Sequence, residues 1–192
     1  MKKILIPDCP GELHNKAAQK FLGKKIMILP CNTICEMFNF TENNPDIDGA
    51  VMRIENSFTG SVLQNYKLLQ KSKLKVTGEM YLAAENNNYN RFFILQRDNI
   101  HGSEVNKASL YFEVDHHSSS IVLFFTVFAR CGITLSKLQS VYIPDRIWAF
   151  AFYADIEFNS VFDFNNAIER MKPVAENIHI YGVYKRGQQP VF

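Results

Sequence analysis

Apolar and polar positions follow two different rhythms along this chain. In the first half, short apolar runs alternate with segments whose apolar residues recur at helical spacing. Lys3 to Pro7 predicts a short buried strand, and His14 to Leu22 a helix with Ala17, Ala18, Phe21 and Leu22 on one face. "KIMIL" from Lys25 to Leu29 predicts a second strand, and Asn32 or Thr33 a cap for a helix running to about Phe40. "NNPDIDG" is turn material, "AVMRI" a third strand and "SVLQNYKLLQKS" a helix. "KLKVTGEMYL" predicts one strand or two, "ENNNYN" a polar break and "RFFILQ" a strand. Alternating strands and helices at this spacing predict an α/β lobe with mostly parallel strands.

The second half changes rhythm after "RDNIHGSEVNK", an unpatterned polar stretch that reads as a linker. The boundaries expected are a lobe over 1–96, a linker over 97–104 and a second domain over 105–192. "ASLYFEV" predicts a strand. Ser118, Ser119 and Ser120 are placed to cap the helix "IVLFFTVFARCG", which Gly132 ends. "LSKLQSVYI" predicts a strand, "PDR" a turn, "IWAFAFYADIEF" a long strand, "SVFDFNNAIERMK" a helix and "NIHIYGVY" a last strand. The order βαββαβ is the ferredoxin-like arrangement, which hosts many functions and selects none. Its aromatic stretch, including Phe124, Phe125, Phe128, Trp148, Phe150 and Phe152, reads as core and dimer surface.

Composition narrows the classes. The 192 residues are 47% apolar with a formal charge of +2, so nothing favours a nucleic-acid partner. The lysines at 71, 73 and 75 read as a solvated helix end. The longest apolar stretch, Ile121 to Ala129, is far short of the ~20 residues that span a bilayer, so no membrane association is expected. "MKKILIPDCPG" lacks the apolar core of a signal peptide and reads as the first strand of a cytoplasmic protein. Cys9, Cys31, Cys35 and Cys131 read as free thiols in a reducing compartment, because two thiols four apart without nearby histidine make a poor zinc site. His116 and His117 are adjacent, face opposite ways on an extended segment, and read as exposed loop. No metal and no cofactor is expected.

Glu55-Asn56-Ser57 ends the third strand just before Gly60-Ser61 and a helix start. Such a corner either holds a carboxylate or phosphate or is braced by its own Asn and Ser side chains. "IENSFTGSVLQNYKLL" followed by "VTGE" resembles the first lobe of prephenate dehydratases, and "NKASLYFEV", "ITLSKLQS", "WAFAFYADIE" and "IHIYGVY" resemble their C-terminal ACT domain, in the same order. The resemblance implies a periplasmic-binding-protein-like half followed by an ACT domain, placed near L-phenylalanine biosynthesis. Family enzymes convert prephenate to phenylpyruvate, carbon dioxide and water, which needs a held dicarboxylate and a proton donor near the leaving hydroxyl.

Several positions depart from that pattern. The family inserts a second lobe between the Gly-Glu strand and a Thr-Arg-Phe motif, whereas only Met80 to Asn90 separates Gly78-Glu79 from Arg91-Phe92 here. By resemblance Asn90 stands at the catalytic threonine, beside Arg91, and Glu55, Asn56 and Ser57 at the substrate-binding segment. An amide orients a water but donates no proton in practice. Glu12 stands where the family has a hydroxyl, adding a negative charge near a dicarboxylate site. His14 takes the place of a small polar residue and reads as a helix-start or surface side chain. The phenylalanine-binding turn corresponds to Ser119, Ser120 and Ile121, and a second segment to Gln139 and Ser140. The resemblance thus implies a protein with impaired catalysis that senses an amino acid. The alternatives are an active dehydratase completed by a partner chain, or an interaction protein. The implied partners are a small-molecule ligand (prephenate or L-phenylalanine) and a second copy, paired through the ACT domains.

Overall fold

In a computed structural model the chain forms two compact units, residues 1–101 with 187–192 and residues 102–186. Residues 1–7, 11–98, 104–114, 118–143 and 150–191 are described, with backbone only at 11 and 118–120. Cys9, the His116-His117 pair, the "PDR" turn, Trp148 and most of the expected linker lie outside them.

The first unit runs β1 (Lys2–Pro7), α1 (Gly11–Leu22), β2 (Ile26–Cys31), α2 (Ile34–Asn43), β3 (Gly49–Asn56), β4 (Gly60–Ser61), α3 (Leu63–Lys71), β5 (Lys75–Ala83) and β6 (Tyr89–Gln96). Its sheet has the order β2-β1-β3-β6-β5, with β4 on β3. β1 pairs parallel with β2 and β3, but β6 is antiparallel to both β3 and β5. The mostly parallel expectation is therefore corrected to a mixed sheet. The reason lies in the polar break: Asn86 and Asn87 take φ of 55° and 57°, and the Asn88 amide bonds the Glu85 carbonyl. Two consecutive left-handed residues make the tight turn that joins neighbouring antiparallel strands, and asparagine tolerates that conformation. Thr33 caps α2 by accepting the Glu36 amide, and the Glu36 carboxylate reaches back to the Asn32 amide. On one sheet face Ala17 and Ala18 of α1 pack with Ile4, Ile6, Val51, Phe92 and Ile94. On the other, Tyr66 of α3 meets Phe93 edge-on. Arg97 braces the unit by donating to the carbonyls of Thr41, Asn44, Pro45 and Ile47.

The second unit runs β7 (Lys107–Val114), α4 (Ser118–Arg130), β8 (Thr134–Tyr142), β9 (Phe150–Glu157), α5 (Val161–Met171) and β10 (Glu176–Tyr184). Its antiparallel sheet has the order β10-β7-β9-β8, the ferredoxin-like topology of ACT domains. Ala108, Leu110 and Phe112 of β7 and Phe152, Ala154 and Ile156 of β9 point to the helices, where Phe112 stacks on Phe124. Gly132 closes α4 with φ 67°. The alternate residues of β7 and β9 carry buried polar groups, with Ser109 bonded to Asp155 and to Tyr184. Among the described residues no helix is long and apolar enough to cross a membrane.

Candidate functional site

The site expected from the sequence sits at one end of the first unit's sheet, and the two-residue period of the strands divides it. Glu55 lies opposite Arg91 and Asn56 opposite Asn90 in the β3–β6 register, so the two pairs face opposite sides. On the α1 side, Asn56 Nδ2 donates to Asn90 Oδ1 at 3.0 Å. Asn56 Oδ1 accepts the Phe58 and Thr59 amides, each at 3.0 Å, and so closes the turn into β4. Ser57 Oγ donates to Asn88 Oδ1 and accepts the Tyr89 amide, which ties this turn to the β5–β6 turn.

On the opposite side Arg91 is only 2% exposed. Its Nε and Nη2 reach Glu79 Oε2 at 2.7 and 2.6 Å, and Nη1 lies 3.6 Å from Glu55. The guanidinium also lies over the Phe93 and Tyr81 rings. Glu79 is saturated further by the Tyr81 hydroxyl and by the Gly187 amide, at 3.2 and 2.9 Å. A Cβ on Gly187 would lie 2.8 Å from the Glu79 carbonyl oxygen, so this approach needs glycine. Tyr89 donates to Glu55 at 3.2 Å, and burial, then the Glu55 carboxylate, push its phenol up, leaving it a neutral donor. Tyr81 and Tyr89 are not singled out by the sequence, and Glu79 stands there only as half of the Gly-Glu motif, not as a site residue. The signal was present, since Tyr89, Arg91 and Phe93 alternate along one face of β6 and Glu79 and Tyr81 along one face of β5. Gly78, the other half of "GE", leaves room for the Phe21 ring, whose Cζ would lie 2.3 Å from a Cβ there.

His14 is in the first turn of α1 but buried, not at the surface. Its Nε2 accepts the Arg53 amide at 3.2 Å, beside the register shift between Arg53 and Glu55, so that nitrogen carries no proton. Glu12 is exposed and paired with Lys16, which lowers its carboxyl pKa through that hydrogen bond and then through the charge. Cys31 is buried and free, and burial, then Glu36, push its thiol up, so it stays protonated rather than nucleophilic. Among the described residues no cluster of His, Cys, Asp and Glu is arranged to hold a metal. A hollow of about 610 Å³ opens between the two turns, lined by Asn56, Phe58, Ala84, Glu85, Asn86 and Asn88. In the second unit Ser119, Ser120 and Ile121 fall in the first turn of α4, while Gln139 and Ser140 occupy opposite faces of the edge strand β8.

Residues 10–87 match the prephenate dehydratase family. Among solved structures, a prephenate dehydratase from Streptococcus mutans is 26% identical with a TM-score of 0.80, covering 98% of this chain and 100% of that one. GqqA, described as a novel type of quorum quenching acylases, is 22% identical with a TM-score of 0.82, over 95% of this chain and 94% of that one. The prephenate dehydratase from Arthrobacter aurescens in complex with L-Phe is 12% identical with a TM-score of 0.79, over 96% and 90%. No curated protein matches. The first unit is thus similar to prephenate dehydratases over residues 10–87, and the two-unit fold is one that solved prephenate dehydratases share over nearly the whole chain. The second unit has an ACT-like topology.

Proposed function

We propose that this is a prephenate-dehydratase-related protein of the phenylalanine branch that has lost dehydration and acts as an amino-acid-responsive regulatory protein. On this reading the first unit is a shortened catalytic lobe. The observation that carries it is the β5–β6 connection. Where the family resemblance calls for a second lobe, Asn86 and Asn87 close a hairpin in a single tight turn. Arg91 supports the same reading, because it is sunk to 2% exposure against Glu79 and Glu55 instead of presented to a substrate. Asn90 brings no proton donor, being 4% exposed and bonded to Asn56. The ACT-like unit is then the functional half, cytoplasmic and paired with a second copy, with Ser119, Ser120, Ile121, Gln139 and Ser140 as the amino-acid contacts.

The test is a thermal-shift titration with L-phenylalanine, L-tyrosine and prephenate, with a phenylpyruvate assay on the same protein. Saturable stabilisation by an amino acid, about 2.7 kcal/mol at a hundredfold over Kd, without turnover is the expected result. Phenylpyruvate formation lost in Asn56→Ala would replace this reading with an active dehydratase completed by a partner chain. That second reading has one observation in its favour, the direct bond between Asn56 and Asn90 that brings two family motifs together. Acylase chemistry of the kind named for GqqA gains no support from Ser57, whose hydroxyl is committed to Asn88 and Tyr89.

A further inference from the structure

The hollow between the two turns of the first unit has a charge pattern that does not suit a dicarboxylate. Of the described residues lining it, three are amides, one is the exposed Glu85 and none is basic. The guanidinium beneath this end of the sheet belongs to Arg91, which faces away and is engaged by two carboxylates. Charges at the mouth are therefore negative, and a dianion entering it would meet repulsion with no cation to offset it. The lining is also held in place. Asn56 is fixed by Asn90 and by the turn amides, and Asn88 by Ser57 and by the Glu85 carbonyl. Phe58 projects from the same turn at 82% exposure, a large apolar ring at the rim of a polar hollow.

We infer that this hollow binds an organic ammonium compound with an apolar arm, the ammonium directed to Glu85 and the arm lying on Phe58. The physical basis is twofold. A carboxylate is the one charged group in the lining, and an aromatic face attracts cations as well as apolar surface. The inference goes beyond the regulatory reading by giving the first unit a ligand of its own, opposite in charge to the family's substrate. The two readings fail separately: phenylpyruvate formation overturns the regulatory one, and the charge ranking below decides this one.

Three probes share a phenylethyl arm and differ in the charge at its end, namely 2-phenylethylamine, 3-phenylpropanamide and 3-phenylpropionate, the last two being isosteres. Each is titrated into the full-length protein, reading melting temperature and the amide shifts of Asn86 to Asn88 by NMR. The amine is expected to bind saturably at millimolar concentration and to move those amides, the neutral amide to bind more weakly and the acid weakest. Glu85→Gln should weaken the amine about fivefold, the range of an exposed ion pair, and leave the neutral amide unchanged. Phe58→Ala should weaken both. Both side chains are exposed, so neither variant threatens folding. Binding of the acid as tightly as the amine, amine binding indifferent to Glu85→Gln, or no saturable amine binding would each overturn the proposal.

Discussion

Arg91→Met tests the account of the buried ion cluster most directly. The substitution keeps an unbranched apolar stem and deletes the guanidinium. Glu79, whose side chain is 0% exposed, would keep the Tyr81 hydroxyl and the Gly187 amide but lose both contacts to the cation. A carboxylate stranded in this way costs about 3–5 kcal/mol, a large share of the roughly 5–15 kcal/mol that holds a domain folded. With a urea slope of about 2 kcal/mol/M, the unfolding midpoint should fall by roughly 1.5–2.5 M. Glu79→Gln combined with Arg91→Met removes both charges; the new amide oxygen can still accept from the Gly187 amide, and the amide NH2 can donate to the Tyr81 hydroxyl oxygen. The double variant should recover most of the loss, because the cost lies in the unpaired charge more than in the missing contact. Far-UV circular dichroism in urea reads the global effect, and hydrogen exchange at the β5 and β6 amides places it in the first unit. A single-variant loss below about 1 kcal/mol, or a double variant no better than the single, would refute this account of Arg91.

Two further outcomes follow from named atoms. The Tyr181 hydroxyl is buried with no hydrogen-bond partner among the described residues, and burial, followed by the neighbouring Tyr153 and Tyr111, pushes its phenol up. The unfolded chain then releases that proton near pH 10 while the folded chain keeps it, so stability is flat below that value and falls as pH rises above it. Tyr181→Phe should flatten this alkaline loss and be neutral or stabilising by up to about 1 kcal/mol at pH 7, measured by urea titration at both pH values; a loss above that would mean the hydroxyl has a partner. Gly187→Ala places a Cβ 2.8 Å from one backbone atom and 2.9 Å from Glu79 Cγ, and should cost about 1–3 kcal/mol with faster exchange in β5; an unchanged exchange rate would show that the tail does not hold Glu79.

Much of the fold was written in periodicity. The second unit's βαββαβ order and its Gly132 stop come directly from apolar spacing and one turn residue. Strand direction in the first unit was not legible in the same way, because apolar runs do not encode which neighbour they pair with; the clue was the pair Asn86-Asn87, which reads as polar filler until its φ values make it a hairpin. Glu55, Asn56, Asn90 and Arg91, singled out from the sequence as candidates, pair with one another in the β3–β6 register. Their separation onto two faces follows from strand alternation, yet a motif written as consecutive letters hides it. Glu79's last donor was out of reach altogether, since nothing local links Gly187 to a residue 108 positions earlier.

That separation along the chain has a consequence during synthesis. At a translation rate of roughly 5–20 residues per second, Gly187 is added roughly 5–20 s after Glu79. Until then the first unit must either hold a buried carboxylate short of one donor or keep the edge of its sheet open around β5. The ribosome-bound intermediate is therefore expected to be looser at β5 than at β1, β2 and β3, and the stretch around Lys75–Ala83 is where a chaperone or a protease would find the nascent chain.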